Sequence, residues 1–476
     1  MSDPISHPRP AAVEPESTLV FNGVSAYGGY LHKPLSTEGL TRAILGTDRL
    51  DALEAQTTRA KGPIVGVDVL DLASSGWGVI FHQGADPAIR KALDPLLRWR
   101  QAQAGDAFRN YHGEDGFQPG ENALGFLERH GAGPGCADPE QVPYYLLLVG
   151  GPEAIPFSFQ SDLTGPYAVG RLDLNSVEGY AAYARAVVRA EKGPATLERR
   201  AAIFGVRNPD DIATNQSCDH LARPLAEDLA NRHADWTFDA ILGEEAHRQR
   251  LVQLFGEDPP ALLFTASHGV GFPCGDPVQR ERQGALLCSD WRGPEQTPGP
   301  VGSETYITAA DLPEASLPGG IAFHFACYGG GTPERDAFDR TGPGAQLAPA
   351  PFVARLPQRL LESPGGGALA VIGHVERVWG YSFLWKGVGR QTQAFRGALS
   401  LLMQGAPVGA AMDAFAQRGA ALGQILLRQV QEEKRGGAVE PRTLAALWTA
   451  STDTAGYSIL GDPAVRLSLK EPRHEG

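Results

Sequence analysis

Residues 262–269 read LLFTASHG and residues 321–331 read IAFHFACYGGG. Each begins as a short apolar run, Leu262 to Ala266 and Ile321 to Ala326, with the composition of a strand buried on both faces. Each run stops at a polar residue with glycine close behind, His268 before Gly269 and Cys327 before Gly329. If the two strands are parallel neighbours, an imidazole and a thiol leave the sheet at one carboxyl edge, where open α/β sheets place their chemistry.

The rest of the chain bounds what this pair can belong to. Its 476 residues suit two or three domains, and 42% hydrophobic with 20% charged residues describes a soluble protein with an ample core. The formal net charge of −13 argues against nonspecific nucleic-acid binding, which needs clustered Lys and Arg. The opening MSDPISHPRPAAVEPES has neither a basic n-region nor an apolar h-region, so no secretory signal is expected. No apolar run approaches the roughly 20 residues of a membrane span, and no membrane partner is expected. Five scattered cysteines, Cys136, Cys218, Cys274, Cys288 and Cys327, include no CxxC pair and fit a reducing compartment. The expected location is therefore cytoplasmic. There is no HExxH, no metal knuckle, no GxxxxGK[ST] loop and no GxSxG elbow, so neither a cofactor nor a metal is called for.

Outward from the two strands, the pattern is strand and helix in alternation, which builds a mostly parallel sheet with helices on its faces. Residues 1–62 read as an N-terminal extension, with LTRAILGTDRLDALEAQTTRA (40–60) able to form one or two helices. A first α/β unit spans 63–195, with strands at Gly78 to His82 and Tyr144 to Val149 and helices at Ala85 to Gln103 and Ser176 to Glu191. A second spans 196–470 and a short tail 471–476. In the second unit strands are expected at Ala201 to Val206, Trp236 to Leu242, the two quoted runs and Ala368 to Gly373. Helices are expected near 216–231, 244–255, 351–362 and between 392 and 434, ahead of a final YSILGDPAVRLSL. Two long loops rich in Pro and Gly, Phe272 to Tyr306 and Gly329 to Pro349, leave the edge that carries His268 and Cys327. Loops of that length usually bind or cover something, so they are expected to wall a cleft.

A thiol is mostly protonated at neutral pH and needs a nearby base to become a nucleophile. His268 can serve as that base and can then protonate a leaving amine. Backbone amides at the turn after Cys327, and that of Gly269, can stabilise an oxyanion; glycine at 269 avoids a side chain that would obstruct the substrate. The plainer reading of either residue alone is a core cysteine and a turn glycine. It is the matched punctuation of two strand ends that favours chemistry.

The sequence also resembles the caspase-like cysteine peptidases, the group of caspases, gingipains, separases and CHAT-domain proteases. In that group His-Gly closes one strand and Ala-Cys with small residues closes the next, as TASHG (265–269) and ACYGGG (326–331) do here. YLLLVGGPEAIPF (145–157) followed by YAVGRLDL (167–174) resembles the non-catalytic first subdomain of the gingipain-like and CHAT branch. YSILGDPAVRL (457–467) resembles its sheet-closing segment.

The resemblance implies a caspase-like α/β/α sandwich of two tandem subdomains, the first pseudo-catalytic and the second catalytic. Cys327 becomes the nucleophile, His268 the general base and acid, and the amides of Gly269 and Cys327 the oxyanion hole. His82 has no cysteine partner on the next strand, and His82, His324 and His374 are expected to be structural. The first specificity pocket falls on Asn208-Pro-Asp210-Asp211 and on His374-Val-Glu376-Arg377-Val-Trp379. Asp210, Asp211 or Glu376 would favour a basic P1 residue, with Trp379 along its stem. Arg377 could neutralise Glu376, and Asp210 and Asp211 could equally be a turn and a helix N-cap. The implied function is an intracellular endopeptidase acting on a protein substrate, with an activating protein partner or self-cleavage, in a bacterial defence or cell-death pathway. The alternative is a catalytically silent scaffold serving as a protein-binding module, for which Cys327 would be buried and the cleft blocked.

Overall fold

Ten segments pair edge to edge into one sheet in the computed structural model, which describes residues 20–31, 62–338, 345–385 and 387–471. In chain order they are β1 (Trp77–Phe81), β2 (Phe108–Tyr111), β3 (Tyr145–Val149), β4 (Ala168–Leu172), β5 (Arg200–Val206), β6 (Thr237–Gly243), β7 (Leu262–Ala266), β8 (Ile321–Phe325), β9 (Ala370–His374) and β10 (Tyr457–Gly461). The order across the sheet is β2-β1-β3-β4-β10-β9-β8-β7-β5-β6. Every residue of β1, β3, β4, β7, β8, β9 and β10 is buried, which is why these strands appear in the sequence as largely apolar runs rather than alternating ones, with buried exceptions such as Arg171, His324 and Ser458. Helices cover both faces, giving the mostly parallel α/β fold that the sequence predicts.

One pair is antiparallel. β9 runs against β10, with His374 opposite Tyr457, whereas β10 runs parallel to β4. The strands of the first unit, with β10, therefore point one way and the five from β5 to β9 point the other. Expected to close the sheet, β10 instead lies in its interior and joins the two sets. Just beyond it, Asp462 receives the Trp77 indole N–H at 2.9 Å and the Arg100 Nε at 2.6 Å, while Arg100 also grips Glu191 at 2.6 and 2.7 Å. A cation this deeply buried needs both carboxylates.

The helices depart from expectation where proline sits. The segment 85–103 divides into Pro87–Ala92 and Asp94–Ala104, each with proline in its first turn. The helix expected from 216 begins four residues earlier as Ile212–Ser217, passes through a wide turn at Cys218–Ala222, and continues as Arg223–Arg232. Pro224 has no N–H to give the ladder, and in the wide turn the Arg223 amide reaches back to Cys218 O.

The loop 272–306 is less irregular than expected. Ala285–Leu287 and Tyr306–Ile307 form a small second sheet with Gly269–Gly271 and, unexpectedly, with Gly23–Ser25 from the N-terminal extension. Val24 and Ala26 pack there with Val270, Phe272, Leu287 and Trp291 in a core of their own. In the loop 329–349, Gly331–Thr332 turns back to pair with Phe352–Val353. The helices expected at 40–60 lie outside the described residues.

Candidate active site

β7 and β8 are parallel neighbours in register, Ala266 opposite Phe325. His268 and Cys327 each stand two residues beyond that last pair, so the sheet delivers both to the same carboxyl edge. The turn that carries Cys327 is tight. Tyr328 adopts a left-handed φ of 58°, its amide bonds to Glu376 O at 2.9 Å, and the Gly330 amide bonds to His374 O at 2.9 Å. Gly269 is required for a reason other than substrate clearance: a Cβ there would lie 1.8 Å from the Cys327 carbonyl oxygen. The His268 and Cys327 loops can lie this close only because residue 269 has no side chain.

His268 is fully buried and its Nε2 lies 2.8 Å from Asp211 Oδ2. Asp211 is itself fixed as the N-cap of the helix Ile212–Ser217, accepting from the Thr214 amide at 2.9 Å and from the Thr214 hydroxyl. Its second oxygen accepts from Tyr30 OH at 2.6 Å. Burial works to raise the Asp211 carboxyl, but the charge and hydrogen bond of His268, with those of Thr214 and Tyr30, outweigh it and hold the group below the usual carboxylate range. The other imidazole nitrogen, Nδ1, has no hydrogen-bond partner among the described residues. A ring with one nitrogen held by a carboxylate and the other unengaged is oriented to take a proton.

Cys327 is also fully buried. Burial pushes its thiol well above the ordinary range, and the Val378 N–H, which points at Sγ from 3.3 Å, offsets this only in part.

The amides of Gly269 and Cys327 converge on one atom. Both donate to the carbonyl oxygen of Asn22, at 3.0 and 3.1 Å. Residues 20–22 run antiparallel to 378–380: the Asn22 amide donates to Val378 O at 3.0 Å and the Gly380 amide to Val20 O at 3.2 Å. The Phe21 ring packs edge-on against Trp379 at 5.1 Å, with the Arg377 guanidinium 5.7 Å from it. The Asn22 side chain is 1% exposed, and its Nδ2 donates to Ser217 Oγ at 3.0 Å. Beyond it, Gly23–Ser25 pairs in parallel with Gly269–Gly271. A stretch of the chain's own N-terminal region thus threads a groove between these two segments, with one carbonyl oxygen between the two amides.

The residues expected to form a basic-specific pocket do other work. Asp211 faces His268. Asp210 is exposed, at a left-handed φ of 56° in the turn before the helix. Glu376 turns inward toward Arg377 and the Ala337 amide, and burial raises it to about 7. Arg377 pairs chiefly with Asp336 and stacks among the rings of Phe338, Trp379 and Phe21. Trp379 is buried against Phe21 and Phe338 rather than along a basic stem. Of the three carboxylates Asp211 and Glu376 already have partners, and Asp210 lies exposed in its turn. The segment 374–380 does line the groove, as expected, but through the backbone of Val378 and Gly380. His324 meets the Thr265 hydroxyl at 2.8 Å and His374 the Asp453 carbonyl at 2.8 Å, away from the groove peptide. Sequence reasoning missed Asn22 and Ser217 and gave Asp211 a different partner. An N-cap one strand away from the histidine was the available signal for Asp211.

No family model matches the chain, and no curated protein does. Among solved structures it is similar to the crystal structure of the Arg-specific cysteine proteinase gingipain R, at 12% identity over 85% of this chain and 79% of that one, with a TM-score of 0.49. It is also similar to a structure described simply as a protease, at 13% identity, 83% and 79% coverage and a TM-score of 0.47. A third is the complex of the pro- and mature domains of RgpB from Porphyromonas gingivalis, at 11% identity, 82% and 79% coverage and a TM-score of 0.45. Among the described residues, no helix is long and apolar enough to cross a membrane.

Proposed function

We propose that the protein is a cysteine endopeptidase. Cys327 is the nucleophile, His268 the base and then the acid, Asp211 the residue that orients His268, and the amides of Gly269 and Cys327 the oxyanion hole. One observation carries this reading: two amides from different strands, one of them the nucleophile's own, meet on a single peptide carbonyl oxygen. Such convergence is the geometric requirement for stabilising a tetrahedral oxyanion. A groove that pairs with the backbone on both sides of that carbonyl suits an extended polypeptide rather than a small molecule.

The silent-scaffold reading has an observation on its side, since Cys327 is buried and the groove is filled. The filling, however, is peptide in a substrate's register, and it supplies part of the burial that raises the thiol. With Asp211 and Glu376 paired elsewhere, a basic P1 residue would have to rely on the exposed Asp210.

The test is turnover of a peptide library varied at P1 by the wild type and by Cys327→Ala. Hydrolysis that disappears in the variant supports the peptidase. Equal rates in both proteins, or none in either together with no alkylation of Cys327 by an electrophile, would favour the scaffold.

A further inference from the structure

We propose that the Asn22–Gly23 bond is the protein's own first cleavage site, and that the pocket holding Asn22 makes asparagine, followed by glycine, its preferred substrate in other proteins. The inference rests on the peptidase reading and adds the identity of the bond that is cut.

The register comes first. For hydrolysis, the carbonyl of the residue before the scissile bond must sit between the oxyanion donors, with the thiol beside it. Asn22 O is the atom between the Gly269 and Cys327 amides. The next residue lies against the nucleophile, since a Cβ on Gly23 would fall 2.9 Å from Cys327 Sγ.

The pocket chemistry comes second. Ser217 is fully buried, and its hydroxyl donates to Thr214 O at 3.2 Å, one turn back in its own helix. It therefore presents a lone pair to whatever enters, and the Asn22 amide N–H meets it at 3.0 Å. An aspartate would set acceptor against acceptor. Lysine, arginine or glutamine would overrun a partner that already lies within hydrogen-bond distance of a four-atom side chain. A site built around one hydrogen bond discriminates strongly against side chains that cannot make it.

The following residue is restricted as well. Besides the contact with Cys327, a Cβ on Gly23 would lie 2.5 Å from Leu31 Cδ1. Leu31 can rotate away, but the nucleophile must stay in place for the reaction, so glycine is favoured after asparagine.

The two sides of the bond are held unequally. Downstream, Gly23–Ser25 is a strand of the second sheet, Val24 and Ala26 belong to its core, and Tyr30 bonds to Asp211. Upstream, the described residues 20–22 are held by the bonds to 378–380, the Asn22 side chain and the Phe21 stacking. After cleavage the segment from Gly23 stays and residues 1–22 depart, leaving the Asn22 and Phe21 sites vacant for another polypeptide.

The chemistry balances with one water. Cys327 Sγ adds to the Asn22 carbonyl carbon as its proton passes to His268. The C–N bond to Gly23 breaks as His268 returns that proton to the departing amine, leaving a thioester between Asn22 and Cys327. Water, deprotonated by His268, then adds to the thioester. The Asn22 carboxylate leaves and the Cys327 thiol is restored.

The experiment is intact-mass and N-terminal sequencing of the full chain after purification and incubation, for wild type, Cys327→Ala, Asn22→Gln and Asn22→Arg. It is paired with hydrolysis of Val-Phe-Asn-Gly and Val-Phe-Arg-Gly peptides. We expect the wild type to lose residues 1–22 and begin Gly-Val-Ser-Ala, and Cys327→Ala to stay whole, which also excludes spontaneous scission of the Asn-Gly bond. Both Asn22 variants should be cut at least about tenfold more slowly, and the asparagine peptide should be preferred by a similar factor. A wild type that keeps residues 1–22 while hydrolysing the arginine peptide would overturn this proposal and leave the peptidase reading standing. A wild type that neither cuts itself nor hydrolyses either peptide would overturn both. Asn22→Arg processed as fast as wild type would contradict the pocket assignment alone.

Discussion

The two units of the sheet each have a histidine just beyond a strand at a carboxyl edge, yet among the described residues only the second sets a cysteine at the end of the next strand. In the first unit His82 follows β1, and its Nδ1 accepts the amide of Gly84 at 3.2 Å. The neighbouring β3 ends in Val149-Gly150-Gly151 and offers no nucleophile. Arg171, fully buried on β4, braces that edge by bonding to Gln160, to Gly150 O and to Pro156 O. In the second unit the adjacent strand supplies a cysteine, the histidine has a carboxylate on its Nε2, and its Nδ1 has no hydrogen bond among the described residues. A histidine at a strand end is therefore weak evidence by itself. The informative combination is a thiol at the end of the next strand and an imidazole with one nitrogen left unengaged.

Substitutions at the two edges should separate them cleanly. Cys327→Ala should abolish peptide hydrolysis below detection while leaving the thermal unfolding midpoint close to that of wild type, as followed by fluorogenic turnover and calorimetry. Asp211→Asn should come next, lowering kcat by about 10²- to 10⁴-fold with a smaller change in KM, because His268 loses the charge that orients and supports its imidazolium. Its stability signature has a definite sign. A carboxyl depressed by folding contributes stability above the ordinary value of about 4, and that contribution is lost as pH falls toward the folded-state value. Wild type should lose this increment on acidification from pH 5, and Asp211→Asn should not.

At the join of the two units the effect should be on stability rather than rate. Arg100→Ala leaves Asp462 and Glu191 buried without their cation and should cost about 3–5 kcal/mol in urea unfolding. The kcat of the folded fraction should stay within about twofold of wild type, because the change is remote from Cys327. Asp413→Asn should act in the opposite direction. Burial raises the Asp413 carboxyl to about 6, only partly countered by the Tyr144 hydroxyl at 2.9 Å. A carboxyl raised by folding penalises the folded state as pH climbs through that value. The variant should melt higher than wild type at pH 8, and the gap should close at pH 4. Smallest of all, His82→Ala should leave kcat/KM unchanged within about twofold, and a large loss there would break the contrast between the edges.

The placement of His268 and Cys327 at one sheet edge was legible in the sequence because its signal is local. Two buried parallel strands must be continuous apolar runs, and both runs here stop at a residue able to do proton or thiol chemistry. The bounds of β7 were read to the residue, and those of β5 and β8 to within one. β2, with the sequence FRNY, escaped because three of its four residues are only partly buried and carry little apolar pattern. The interior place of β10 could not be read, since pairing between segments hundreds of residues apart leaves no local trace. Asp211 was visible as an N-cap, but its contact with His268 depends on how β5 and β7 lie side by side. Asn22 was hidden most completely. FNGVSAYGG reads as turn-rich extension, and its significance comes from two amides, at Gly269 and Cys327, that meet on the Asn22 carbonyl from 247 and 305 residues away.

The central claim is that Cys327, served by His268 and the paired amides, attacks a peptide carbonyl. It is tested most directly by treating the full chain with a Val-Phe-Asn peptide bearing a thiol-reactive ketone and mapping the adduct by tandem mass spectrometry. The account predicts one thioether, on Cys327, abolished by His268→Ala and slowed when the ketone follows arginine instead of asparagine. An adduct on Cys136 or Cys274, the two exposed cysteines, with Cys327 unmodified, would contradict it.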